Sequence, residues 1–118
     1  MIDLCLNSFS ELLGHNDIIY LTHPDAVNLA RYDHRHHTDL LDVLYYYCLC
    51  GENIVKTAQT AYMHRNTVTA KISKIRQLIQ ADLSDGQIRQ RMIFSCKILR
   101  YYEKYVKIDI EEKLKERK

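Results

Sequence analysis

Between Asn53 and Ala81 the chain carries Lys56, Arg65, Lys71, Lys74 and Arg76 and not one acid. Uncompensated cations in so short a run create a local positive field, which is what binding a polyanion requires. The rest of the chain sharpens the contrast. Residues 1–50 hold two bases, Arg31 and Arg35, against seven acids, whereas residues 51–118 hold fifteen bases against eight acids. The overall net charge of +2 conceals this division.

Other groups invite other chemistry. His34, His36 and His37 together with Cys48 and Cys50 suggest a metal, but ligands must converge on one centre. These residues fall in a loop and across a helix face, so surface histidines and core thiols are expected, with no metal and no cofactor. There is no glycine-rich phosphate loop, no nucleophile elbow and no carboxylate pair with a plausible cleft, so the chain is not expected to be an enzyme.

The elements that position these groups are helices. The chain has 118 residues, enough for one core, with a single proline and three glycines, too few punctuators for a strand-and-turn fold. The expectation is one all-α domain over residues 1–118, with five to six helices, a helix-turn-helix core at 53–80 and a long C-terminal helix ending in a charged, fraying tail at 107–118. No apolar run approaches the roughly 18 residues of a membrane span, and the start shows no basic region followed by an apolar run, so no signal peptide is expected. Cys5, Cys48, Cys50 and Cys96 sit inside apolar helical patterns, which suits reduced thiols in the cytoplasm.

Periodicity and caps mark the helices individually. Ile2, Cys5, Leu6, Phe9, Leu12 and Leu13 form one stripe that stops at Gly14. Another helix should begin at Pro24, a residue suited to the first turn. Thr38 can cap a central helix striped by Leu41, Leu44, Tyr45 and Cys48. Asn53 caps a short helix to about Tyr62, and Asn66 or Thr67 caps the next, which runs to about Ala81. Ser84 and Gln87 are spaced as a capping box opening the last helix, striped by Ile88, Met92, Cys96, Leu99, Tyr102 and Val106.

Within Asn66 to Ile79, the residues Val68, Ile72, Ile75 and Ile79 recur at helical spacing and must face inward. Asn66, Ala70, Ser73 and Gln77 then lie nearly opposite, with Thr67, Thr69 and Lys74 on the shoulders. This outward face is small and polar, suited to close approach to a groove floor. Ala58 and Ala61 allow the preceding helix to cross at short distance through the turn Met63-His64-Arg65. In such a helix-turn-helix the second helix presents its outward face to base edges while neighbouring bases meet phosphates.

The runs Asn53-Ile54-Val55-Lys56-Thr57-Ala58, Tyr62-Met63-His64-Arg65-Asn66-Thr67-Val68 and Ile72-Ser73-Lys74-Ile75 resemble the C-terminal helix-turn-helix domain of PucR-type transcriptional regulators, which include CdaR-like or sugar diacid regulators. His23-Pro24, Leu29 to Asp33, Thr38 to Leu44, Asp82-Leu83 and Ser95 to Tyr101 extend the likeness over residues 20–105. The resemblance implies sequence-specific double-stranded DNA binding by an output domain of a kind that usually follows an upstream metabolite sensor. No sensor domain fits in 118 residues, so the expectation is either one domain of a longer regulator or a stand-alone relative. The candidate DNA-binding set is Lys56, His64, Arg65, Asn66, Thr67, Thr69, Ala70, Lys71, Ser73 and Lys74. Family members usually carry a base where this chain has Thr69, an aromatic at Ala70 and a bulkier apolar residue at Ala61, which implies an altered base preference.

Tyr45-Tyr46-Tyr47 points round three sides of one helix, so at least one ring should be exposed or buried in a subunit contact. A homodimer would suit DNA binding, since paired reading helices about 34 Å apart match half-sites one turn apart. The competing expectation is a degenerate helix-turn-helix used as a protein-interaction or dimerisation module. Such a module would have no need of the acid-free stretch.

Overall fold

The computed structural model describes residues 22–101 and Glu103. Over these the chain forms five helices and no strand: α1 Pro24–His36, α2 Leu40–Leu49, α3 Ile54–Ala61, α4 Arg65–Leu78 and α5 Gly86–Tyr101. The expected helix at Ile2 to Gly14, the stripe positions Tyr102 and Val106, and the tail at 107–118 lie outside the described residues.

Helix α2 is apolar on nearly every side, with Leu40, Leu41, Val43, Leu44, Tyr45, Tyr47 and Cys48 all buried. A helix of that composition is stable in water only when surrounded. It accordingly packs against each of the other four helices. Leu29 of α1, Val68 and Ile75 of α4, Leu83, and Met92, Ile98 and Leu99 of α5 are fully buried in the same core, as is Leu44 of α2 itself. Each such side chain contributes about 1.5–3 kcal/mol relative to exposure.

The helix starts are made differently from the sequence expectations in three places. Helix α2 is not capped by Thr38. The carboxylate of Asp33, still on α1, accepts from the amides of Leu40 at 2.9 Å and Leu41 at 2.8 Å, and Thr38 donates its hydroxyl to the same carboxylate. Helix α5 is not opened by a Ser84–Gln87 box: Asp85 accepts from the Gln87 amide at 2.9 Å, and the Ser84 hydroxyl turns back to Asp82. Helix α4 is capped by His64 rather than by Asn66 or Thr67, and it ends at Leu78 rather than near Ala81. In each case a carboxylate or imidazole, the stronger acceptor, has taken the free amides in preference to a hydroxyl or an amide side chain.

Two buried polar groups tie the chain ends of this core together. Asp25, 9% exposed, accepts from the amides of Gln80 at 3.1 Å and Ala81 at 2.8 Å, fixing the segment after α4 to the start of α1. Ser95 accepts from the His23 amide at 2.8 Å and donates to the Arg91 carbonyl. The turn between α2 and α3 is held by Glu52, which bonds Arg76 of α4 and Arg89 of α5, each at 3.2 Å. Helix α4 is therefore anchored at its C-terminal end on both sides.

The tyrosine triplet does not leave the free ring that its sequence suggests. Tyr45 and Tyr47 are buried and Tyr46 is half-buried. The Arg100 guanidinium lies 4.5 Å from the Tyr45 ring centroid and 5.4 Å from that of Tyr46. The rings are satisfied within the fold, so they no longer argue for a subunit contact.

Candidate nucleic-acid interface

Helix α3 begins with Asn53 accepting from the Lys56 amide at 2.9 Å, while the buried Thr57 hydroxyl donates to the Asn53 carbonyl at 2.7 Å. Both bonds pin the first turn, from which Lys56 stands exposed. The helix stops at Tyr62, whose backbone turns left-handed at φ 55°, and the Met63 amide closes the end on the Ala58 carbonyl at 2.9 Å. His64 then returns to an extended conformation, and its Nδ1 accepts from the Asn66 amide at 3.2 Å. The imidazole thereby caps α4, and Arg65 is the first helical residue.

The two faces of α4 separate as the spacing predicts. Val68 and Ile75 are 0% exposed, and Ile72 and Ile79 are also buried. Asn66, Thr67, Thr69, Ala70, Ser73, Lys74 and Gln77 are all exposed, as are His64 and Arg65 at its start. Because His64 provides the cap, the Asn66 side chain is not required for one. The outward surface thus offers hydroxyls, an amide, a methyl group and cations, and within 53–81 it has no acid to repel a phosphate.

Not every cation of the stretch is equally available. Arg76 bonds the Tyr47 hydroxyl and Glu52, each at 3.2 Å, and serves the fold. Lys71 is half-buried and ion-paired with Asp39, at the start of α2. Lys74 is exposed and lies 5.5 Å from the Tyr32 ring centroid. Between these groups a groove of about 520 Å³ runs along the flank of α4, lined by Tyr32, Thr38, Asp39, Ala70, Lys71 and Lys74. Of the sequence-predicted residues, α4 and its cap bring together His64, Arg65, Asn66, Thr67, Thr69, Ala70, Lys71, Ser73 and Lys74, while Lys56 stands apart on α3.

Two residues of this surface escaped the sequence reading. Asp39 neutralises Lys71 from 32 positions away, and no local pattern announces such a pair. Tyr62 is 97% exposed in the turn itself. The available signal there was an absence, since a short turn leaving a helix ordinarily uses glycine and this one does not. Among the described residues no group of histidines, cysteines and acids is placed to hold a metal ion. Nor is any helix of these residues long and apolar enough to cross a membrane.

An all-helical core that buries one face of α4 and exposes the other behind a short capped turn defines a helix-turn-helix domain. The PucR C-terminal helix-turn-helix domain family matches residues 40–98, half of the chain, and the chain belongs to that family. The match runs from the start of α2 through most of α5, so α1 lies outside it. Comparison with curated proteins and with solved structures gave no match.

Proposed function

We propose that this chain is the output domain of a PucR-like transcriptional regulator, binding double-stranded DNA sequence-specifically with α4 in the major groove. The observation that carries the proposal is the outward face of α4, which is exposed, free of acids and built from side chains small enough for close approach. Asn66, Thr67, Thr69, Ala70 and Ser73 face base edges, with Ala70 suited to a thymine methyl. Arg65, Lys74 and Lys56 meet phosphates, and Lys71 joins them once it leaves Asp39. His64 acts by fixing where the helix begins.

On this proposal the protein works in the cytoplasm as a homodimer, its two α4 helices about 34 Å apart on successive half-sites, with a sensor domain upstream controlling their spacing. With the tyrosines satisfied internally, Leu49 at 48% and Phe94 at 41% exposure are apolar side chains left on the surface for such a contact.

The test is binding to sheared genomic duplex DNA at two salt concentrations, comparing the native chain with Arg65→Ala and Lys74→Ala. Binding that falls steeply with salt, and less steeply in each variant, supports counterion release through this face. No binding above background at low salt would overturn the proposal for the isolated chain and favour the protein-interaction module.

A further inference from the structure

Three non-glycine residues among those described adopt the left-handed conformation: His37 at φ 54°, Glu52 at φ 67° and Tyr62 at φ 55°. A side chain with a Cβ is disfavoured there, and the position after a helix is where glycine is the default. One of the three has side-chain partners that account for its identity. Glu52 bonds Arg76 and Arg89, joining three elements. His37 closes α1 through its backbone amide alone, and its exposed side chain lines the groove beside Lys71 and Lys74.

Tyr62 has no such return. It is 97% exposed, and its side chain makes no hydrogen bond, ion pair or ring contact with the described residues. The backbone amide caps α3 through the Ala58 and Gln59 carbonyls, a task any residue other than proline performs. The fold thus holds a large aromatic side chain in water at a position that disfavours it. Strain retained without an internal compensation points to an external contact.

Its location specifies the contact. Tyr62 lies in the turn that leads from α3 into α4, three positions before the exposed cation Arg65 and six after the exposed cation Lys56. With α4 in the major groove, this turn lies over the strand bordering the groove. A phenol there can donate to a phosphate oxygen while its ring covers the adjoining sugar.

We infer that Tyr62 is a DNA-backbone contact, held outward by the left-handed turn so that its hydroxyl meets a phosphate at the edge of the groove entered by α4. This rests on the DNA-binding function proposed above and adds a residue that sets the helix register on the duplex.

The experiment pairs thermal unfolding of the whole chain with its affinity for sheared genomic duplex DNA, for the native chain and for Arg65→Ala, Tyr62→Phe, Tyr62→Gly and Tyr62→Asn. Tyr62→Gly should melt about 2–6 °C higher as the backbone strain is relieved. It should also bind about tenfold more weakly, the loss of a charge-assisted hydrogen bond with its packing. Tyr62→Asn, which tolerates the left-handed turn, should show the same loss of affinity, so the result does not depend on one variant folding. Tyr62→Phe should fall between them and the native chain. If Arg65→Ala weakens binding while Tyr62→Gly and Tyr62→Asn match the native affinity, the Tyr62 contact is overturned and DNA binding stands. If the native chain itself fails to bind, both fall.

Discussion

Lys71, on the flank of the helix that faces outward, is held by the carboxylate of Asp39 at the start of the central helix. The pair spans the groove between α4 and the α1–α2 loop, and both side chains are partly open to water. A phosphate approaching Lys71 must therefore displace a carboxylate. Asp39→Asn is expected to leave stability within about 1 kcal/mol of native, because an exposed ion pair contributes little. The same change should raise DNA affinity several-fold at low salt. It should also steepen the dependence of log affinity on log salt by about 0.9, one added phosphate contact. Anisotropy titrations at several salt concentrations decide this, and an unchanged slope would show that Lys71 does not reach the backbone.

Asp33 bridges two helices through the first two amides of α2. Removing it strands donors at the start of the most buried helix, so Asp33→Ala should lower the unfolding free energy by about 1–3 kcal/mol. Thr38→Ala should cost clearly less, since the Thr38 hydroxyl only donates to Asp33 and caps nothing itself. Urea unfolding midpoints compare the two. Equal losses would mean that the threonine is the working cap after all.

These two carboxylates also show where the sequence stops being informative. Helix α4 was legible down to its buried face, because Val68, Ile72, Ile75 and Ile79 obey a local period and burial follows from it. The apolar composition of α2 likewise announced its central place. The cap of α2 is not legible locally because a capping residue need not be next to the helix it caps: Asp33 reaches forward seven positions to Leu40, as Asp25 binds amides 55 and 56 positions on. At α4 the asparagine two residues into the helix is the commoner cap type, yet His64, a turn residue hydrogen-bonded to backbone, takes that role. The candidate site was thus readable as a surface, but the state of its charges was not. Lys71 and Arg76 look as free as Lys74 in the sequence, and only the tertiary fold brings Asp39 and Glu52 to them.

Burial pushes the Cys48 thiol up to about 12 and that of Cys96 higher still. Both therefore stay protonated in the native state, whereas in the unfolded chain a thiol begins to ionise near its usual value of about 8.5. Above that value the unfolded state binds fewer protons than the native state. Stability is then whole below the unfolded value and falls as pH rises toward the folded one. Unfolding free energies at pH about 8 and about 10 should drop more in the native chain than in Cys48→Ala, the difference in slope isolating the thiol. At the lower pH, iodoacetamide should modify the half-buried Cys50 and leave Cys48 and Cys96 untouched until denaturant is added. Labelling of Cys96 in the native state would contradict the burial.

The distance between α3 and α4 governs how the bases before and after the turn fall on one duplex, and Ala58 helps to set it. Its methyl group is buried in the common core, whereas Ala61, one turn later, is only half-buried. A leucine at 58 has nowhere to go without moving one helix, and overpacking of this kind costs about 1–3 kcal/mol. Displacing α3 also moves Lys56 relative to Arg65, so Ala58→Leu should lose DNA affinity even in the fraction that remains folded. Ala61→Leu has an open side for the added carbons and should change stability by less than about 0.5 kcal/mol with affinity retained. Urea unfolding, with binding measured where both variants are fully folded, separates the two effects. If Ala58→Leu binds normally once folded, the helix spacing is not what aligns these cations on DNA, and α4 must contact it alone.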